Sequence, residues 1–414
     1  MHVLILNQTF YPDFASTAQL MWDLALYLEA RGHRISALCS RAIYGTDQQH
    51  ELSYERINNI EIHRVTGTAF GKRRMLGRMS DFLAFYAAAF WKLRRLPAPD
   101  VILSLTTPPM LGVLPMLHRQ FLDQQRRRRL RIVHHIMDLY PDAAVAMNVL
   151  RQGSYSQRFM SRLGGRILGT ADAVIVLGRD MAERIIRGYH PGSLAGRIHI
   201  VPPWADGSLL KPLDKGKNPL AEQLGLRDTF NIVYSGNLGL AHDVETLIAA
   251  IEVMRADEGI AWLFIGGGKR FEHLRAHADL RAWTNVRFMP YQDREVLNQS
   301  LNLADVHLVS QLPEFTGIVV PSKLYGILAV GRPSIMIGPA DAEISRVINE
   351  WSCGYVVANG DAAGLVQRLR ELKADPQLGR EMGARARRVF ETQYDRPIAC
   401  SRIESILRSL VEAG

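Results

Sequence analysis

Short uninterrupted apolar runs alternate along the chain with longer stretches in which apolar residues recur every three or four positions. The runs predict buried strands and the spaced pattern predicts amphipathic helices. A strand is expected over residues 3–6, followed by a loop over 8–17. Leu20, Leu24 and Leu28 place a helix over 18–31, which Gly32 ends. Residues 35–38 predict the next strand and complete a βαβ unit. The alternation continues with strands at Ile60–Val65, Val101–Ser104, 132–136 and 173–177, and with helices at 81–96 and 156–169. Strands alternating with helices predict a parallel, doubly wound sheet.

A loop rich in Pro, Gly and Asp interrupts the pattern over 201–213, and a second alternation starts after it. Strands are expected at 231–235, 262–265, Val286–Met289 and 306–309, with a helix over 244–254. The stretch 314–338 then runs from a loop through Pro321 and Ser322 into a short apolar helix. Gly331 and Pro333 stop that helix before a strand at Ser334–Ile337. The expected architecture is α/β: two Rossmann-like, doubly wound domains facing a cleft, 1–203 and 213–394, with a hinge near 203–212. The tail, 395–414, predicts a helix folding back on the first domain. Ligands are expected at the C-terminal ends of the strands.

A chain of 414 residues suits two domains. Three cysteines, odd in number and widely spaced, make neither a disulfide framework nor a metal site, and predict a reducing compartment. The apolar N-terminus lacks a basic flank and reads as a strand rather than a signal peptide. No apolar run approaches the roughly 20 residues that span a bilayer. The net charge of +9 favours an anionic partner. Nucleic acid is not expected, since none of its short signatures is present. The basic residues fall in two patches: Lys72, Arg73 and Arg78 leading into an aromatic-rich helix, and Arg126–Arg129 with Arg131. Cationic and aromatic residues on one amphipathic helix suit a membrane interface, and a core-facing helix with a solvated basic end is the plainer reading.

In the second half Tyr234-Ser235-Gly236-Asn237-Leu238-Gly239 ends a strand before a helix, and its glycines allow close backbone approach to a ligand. Lys323 sits in a first helical turn, where a cation is unfavourable unless an anion binds nearby. Together the two predict a diphosphate cradle. Gly266-Gly267-Gly268-Lys269 reads as a turn that could line the same crevice. In the first half Asp138, Tyr140 and Asp142 lie just past a strand end, and Asp138 is the candidate cleft carboxylate. His134 and His135 fall inside that strand, one facing each side. No Cys/His cluster predicts a metal. Walker A, Gly-x-Ser-x-Gly and Gly-x-Gly-x-x-Gly patterns are absent, which argues against a nicotinamide enzyme.

The ordered set of FYPD and RGH within 10–33, LTTPP (105–109), MDLYPD (137–142), ADAVIVLG (171–178), PPWAD, YSGNLGLAHDVETL (234–247), FMPY (288–291) and VVPSKLYGILAVGRP (319–333) resembles the retaining glycosyltransferases of family 4. These enzymes have the GT-B fold, and the likeness is to the bacterial O-antigen, capsule and exopolysaccharide subgroup with a PSK-x-YG motif. The resemblance implies a nucleotide-diphosphate sugar as donor in the second domain, a glycan acceptor in the first, and no cofactor or metal. The acceptor implied is a polyprenyl-diphosphate-linked saccharide, met by a cytoplasmic protein at an anionic membrane. Asp138 and Lys323 are the implied catalytic residues. Donor contacts are implied for Ser235, Gly236, Asn237, His242, Gly266, Pro290, Tyr291, Glu314, Gly317, Val319, Val320, Ser322 and Glu343. Acceptor contacts are implied for Tyr11, Thr17, Thr107, Asp138 and Tyr140.

Two departures stand out. Asn237 and His242 occupy places where many relatives carry Arg and Lys. Ile318 and Gly326 replace the Glu-x7-Glu pair, leaving Glu314 or Glu343 as substitutes for the ribose-binding carboxylate. A non-hydrolysing 2-epimerase of the same fold, or a basic non-enzymatic binding protein, are the alternatives.

Overall fold

The computed structural model describes residues 1–43, 46, 48–66, 75–189, 194 and 196–413, with side chains of 75–80 excepted. The chain divides into two units, 1–202 with 399–414, and 203–398.

The first unit is built on an eight-stranded sheet. Its strands are β1 (His2–Leu6), β2 (Arg34–Ser40), β3 (Tyr54–Ile57), β4 (Ile60–Val65), β5 (Val101–Ser104), β6 (Arg131–His135), β7 (Ala173–Val176) and β8 (Ile198–Ile200). Their order is β3-β4-β2-β1-β5-β6-β7-β8, and all neighbours run parallel except β3 against β4. β5 and β7 are buried along their whole length, as expected of strands covered by helices on both faces. The order reverses direction between β1 and β5, which is where such sheets open a crevice.

The second unit carries β9 (Phe230–Asn237), β10 (Ile260–Gly267), β11 (Val286–Met289), β12 (Val306–Ser310), β13 (Ser334–Ile337) and β14 (Gly354–Val357). Its parallel sheet has the order β11-β10-β9-β12-β13-β14, so its switch point lies between β9 and β12. Trp262, Tyr234 and Phe264 fill the core on one side of it, packed with Leu247, Ile251 and Leu274 from two covering helices.

The expected strands are present, and three more appear: β3, β8 and β14. β3 pairs with β4 through a two-residue Asn58–Asn59 turn in which Asn58 takes φ 53°. Its alternating exposed residues hid it, although paired turn-forming residues between apolar positions are a hairpin signal. β8 is only three residues long. The stretch 203–212, read from sequence as a hinge, is fastened to the second unit. Asn298 and Asn302 accept the Lys211 and Leu213 N–H groups at 2.9 Å each, and Arg387 donates to the Leu210 carbonyl at 2.9 Å. Trp204 and Leu210 are buried there.

The tail forms the helix Arg396–Glu412, which buries Cys400, Ile403 and Leu407. Glu404 bonds Arg31 at 2.7 Å and His33 at 2.9 Å, beyond the end of the helix Ser16–Ala30. Burial works against its charge, but the bonds from His33 and Arg31 outweigh that and hold its carboxyl below the ordinary range. A depressed carboxyl contributes stability above its unfolded pKa and loses it as pH falls. Glu404→Gln is therefore expected to cost about 1–2 kcal/mol at neutral pH, with the difference closing below about pH 4. Urea unfolding measures it, and equal midpoints at pH 7 would contradict the tail contact.

Candidate functional site

Beside the second unit's switch point the ends of β9 and β10 approach more closely than side chains allow. Their pairing continues to Gly266 opposite Gly236 and Gly267 opposite Asn237. Gly266 has φ 134°, and a Cβ there would lie 2.3 Å from the Gly236 carbonyl oxygen. Gly268, with φ 120°, would place one 2.4 Å from Asn237 Oδ1. The Gly266–Gly268 run, read from sequence as a turn, is thus the partner that lets the 236–239 loop form. Tyr291 lies against Gly267 just past β11 and is largely exposed, beside Pro290.

Lys323 reaches into this loop from the helix Lys323–Ala329. Its Nζ lies 3.7 Å from the centre of the Tyr234 ring, donates to the Tyr234 hydroxyl, and donates to the Asn237 carbonyl at 3.3 Å. A Cβ on Gly236 would be 3.7 Å from Lys323 Cε. No carboxylate pairs with this ammonium among the described residues, and burial pushes its pKa well below the ordinary lysine value. The amine is folded back over the loop rather than left against the helix end, as its place in the first turn had suggested.

His242 does not supply the second cation. Its Nδ1 donates to the Ser310 carbonyl at 2.6 Å. Burial, aided by the Lys323 charge, pushes it down to about 3, so the ring is neutral. Of the two substitute carboxylates, Glu314 is exposed and unbonded among the described residues, whereas Glu343 is buried at the start of its helix. Gly317, with φ 70°, Val319, Val320 and Ser322 follow on the loop after β12, which lies next to β9. Sequence reasoning missed what holds that loop. Buried Gln311 donates to the carbonyls of Phe315 and Val319 at 3.0 Å each. A lone glutamine at a strand end was the available signal.

In the first unit the loops after β1, β5 and β6 are neighbours and are tied together. Gln8 N–H donates to the Thr107 carbonyl at 2.8 Å. Thr106 Oγ1 accepts the N–H groups of Met137 at 3.1 Å and Asp138 at 3.2 Å. One cis X-Pro bond lies in each loop, at Tyr11–Pro12, Thr107–Pro108 and Tyr140–Pro141. The Tyr11 ring stacks on Trp22 at 4.2 Å, and its carbonyl accepts from buried Arg64 at 2.7 Å. Thr17 lies 3.3 Å from Thr9, hydroxyl to hydroxyl. Thr106 and Arg64 were not picked out from sequence, although an arginine inside an apolar strand signals a buried partner.

The Asp138 carboxyl has no bonding partner among the described residues, and burial pushes it up to about 6. Tyr140 stands close enough for that carboxylate to add to the burial that raises its phenol to about 12. Asp142 plays another part, bonded to Arg184 at 2.9 Å and Tyr189 at 2.7 Å. His134 lies 2.9 Å from Ser104 Oγ, while His135 is buried with neither ring nitrogen bonded. Both are pushed well down by burial, to about 4 and about 3, and stay neutral. Among the described residues, Lys323 in the second unit and Asp138 in the first are thus ionisable groups held out of water near a strand end without a counter-ion.

A family profile described as "Glycosyl transferase 4-like domain" matches residues 17–204, and one described as "Glycosyl transferases group 1" matches residues 217–389. The probable glycosyltransferase WbjE of Pseudomonas aeruginosa is 26% identical over 342 residues, 82% of each chain. The putative colanic acid biosynthesis glycosyl transferase WcaI of Escherichia coli is 25% identical over 358 residues, 84% of this chain and 86% of that one. Among solved structures, Anabaena HepE in complex with UDP-glucose matches with a TM-score of 0.71 at 15% identity, over 99% of this chain and 100% of HepE.

An anion seated beside Lys323 restores its pKa towards the ordinary value. Binding of a nucleoside diphosphate is therefore expected to draw in a proton between the depressed and restored values, and to weaken as pH rises through that window. Calorimetry in buffers of different ionisation enthalpy reads the uptake, and buffer-independent heats would contradict it.

Proposed function

The chain is a glycosyltransferase of the GT-B fold, and we propose that it moves a sugar, with retained configuration, from a nucleotide-diphosphate sugar on the second unit to a glycan acceptor on the first. The observation that carries this reading is the uncompensated Lys323 ammonium beside the glycine-lined loop at the β9/β12 switch point. That arrangement suits a leaving diphosphate, whose negative charge grows as the bond to the sugar breaks. Gly236 and Asn237 lie where the diphosphate would rest, and Tyr234 positions the Lys323 amine. Lys323 carries the charge neutralisation in this scheme, with no metal ion required.

In the transfer, the bond from the sugar's anomeric carbon to the diphosphate oxygen breaks, and the acceptor hydroxyl attacks from the same face. Its proton passes to the departing diphosphate, so no enzymic nucleophile is needed. Asp138 accepts a hydrogen bond from the acceptor hydroxyl and orients it. UDP-glucose in the HepE complex supports a nucleotide-sugar donor, and the colanic acid role in the name of WcaI supports surface polysaccharide synthesis.

The acceptor we propose is a polyprenyl-diphosphate-linked saccharide, met at the cytoplasmic face of a membrane. Among the described residues no helix is long and apolar enough to cross a membrane, so contact would be peripheral. The helix Met75–Arg95 exposes Leu83 and Trp91, and Arg94 lies over the exposed Phe121 ring at 4.9 Å. Arg127, Arg128 and Arg129 are exposed just beyond. Lys72, Arg73 and the Arg78 side chain lie outside the described residues.

Incubation with a nucleotide sugar and a polyprenyl-diphosphate saccharide, followed by NMR of the new linkage, tests the reading. Retained anomeric configuration is expected. Conversion of the donor to its 2-epimer without acceptor would contradict it. Because Asp138 acts ionised, kcat/KM should rise with pH through about 6. Asp138→Asn should lower turnover by about a hundredfold while leaving diphosphate affinity intact. Equal losses in both would make Asp138 structural.

A further inference from the structure

The helix Tyr155–Thr170 has no part in either site, yet its surface is unusual. It turns Gly164, Ile167 and Leu168 inward. On the opposite side Tyr155, Arg158, Phe159, Arg162 and Arg166 form one stripe at helical spacing, all exposed. Tyr155 is 92% exposed and Phe159 66%, far beyond what large apolar rings need for packing. No carboxylate reaches Arg158, Arg162 or Arg166 among the described residues. The reason lies in the sequence: between Asp142 and Asp172 there are four arginines and no acidic residue. A solvated helix face ordinarily mixes both signs of charge.

The topology gives this stripe neighbours. The connections β4 to β5, β5 to β6 and β6 to β7 all step the same way across the sheet. Right-handed crossovers therefore put their helices on one face. The helix Val113–Gln120 accordingly packs against both Met75–Arg95 and Tyr155–Thr170. Trp91, Arg94 and Phe121 thus belong to the same face as Tyr155 and Phe159. The chain reaches the helix Tyr155–Thr170 from the loop that carries Asp138 by way of the short helix Asp142–Ala146.

We propose that the Tyr155–Arg166 stripe is a docking surface for an anionic phospholipid bilayer. The arginines would lie at the headgroup phosphates, and the two rings would sit at the boundary between headgroups and acyl chains. A soluble polyanion would satisfy the arginines but gives no role to two exposed rings in line with them. The proposal rests on the reading of a membrane-borne acceptor, and names where the first unit meets that membrane.

Co-sedimentation of the full chain with vesicles tests it, using phosphatidylcholine alone or mixed with phosphatidylglycerol. The wild type should bind only the anionic vesicles, and less well at raised salt. The triple variant R158Q/R162Q/R166Q should bind on the order of a hundredfold more weakly. Y155S/F159S should lose most of the binding that survives high salt, and both variants should keep wild-type diphosphate affinity. Wild-type vesicle binding by both variants would overturn this surface and leave the membrane-borne acceptor standing. No binding of the wild type to anionic vesicles would overturn both. Equal binding to heparin, unaffected by Y155S/F159S, would replace the bilayer with a soluble polyanion.

Discussion

The donor-side geometry depends on one steric constraint, the contact between the ends of β9 and β10 that only glycine can make. A Cβ on Gly266 would lie inside the van der Waals distance of the Gly236 carbonyl, and one on Gly268 would strike Asn237 and Leu238. Because these atoms are missing, the strands stay paired beyond their usual end. The following loop turns under Lys323, and the amine can settle on Tyr234 and the Asn237 carbonyl. A larger residue at Gly266 would move the loop and leave the amine without its support.

The two units arrive at the same electrostatic device with opposite sign. Lys323 and Asp138 are each held near a strand end, partly desolvated, with no counter-ion among the described residues. A charge kept in that condition costs stability, which is tolerable where a ligand supplies the missing partner. In the function we propose, that partner is a diphosphate for Lys323 and an acceptor hydroxyl for Asp138. His242 marks the contrast. Burial and the nearby Lys323 charge keep it neutral despite its bond to Ser310, so it shapes the loop rather than adding to the charge.

The parallel sheets were legible in the sequence because buried strands read as apolar runs, and Lys323 because its position broke a rule of helix ends. Asp138 stood out as a carboxylate just past such a run. Other features depend on contacts that no local pattern reports. The Asn58–Asn59 hairpin lies among polar residues, and the 203–212 stretch reads as a hinge although Asn298 and Asn302 hold it to the second unit. Gly266 to Gly268 read as an ordinary turn, since their partner strand lies 30 residues earlier in the chain. The roles of Thr106, Gln311 and Arg64 rest on bonds between loops that meet only after the sheet has formed.

The central claim is that Lys323 receives a nucleoside diphosphate. Its most direct test is a thermal-shift series of the wild type and Lys323→Ala with UDP, GDP, dTDP, ADP and CMP. A ligand that binds only the folded state stabilises it by about 2.7 kcal/mol at a hundred times its Kd, enough to read as a clear rise in Tm. The variant should fold without difficulty, because the charge it removes has no counter-ion. The account predicts that one diphosphate raises the wild-type Tm and that the rise is lost in Lys323→Ala. No rise with any nucleotide, or a rise that persists undiminished in the variant, would contradict it.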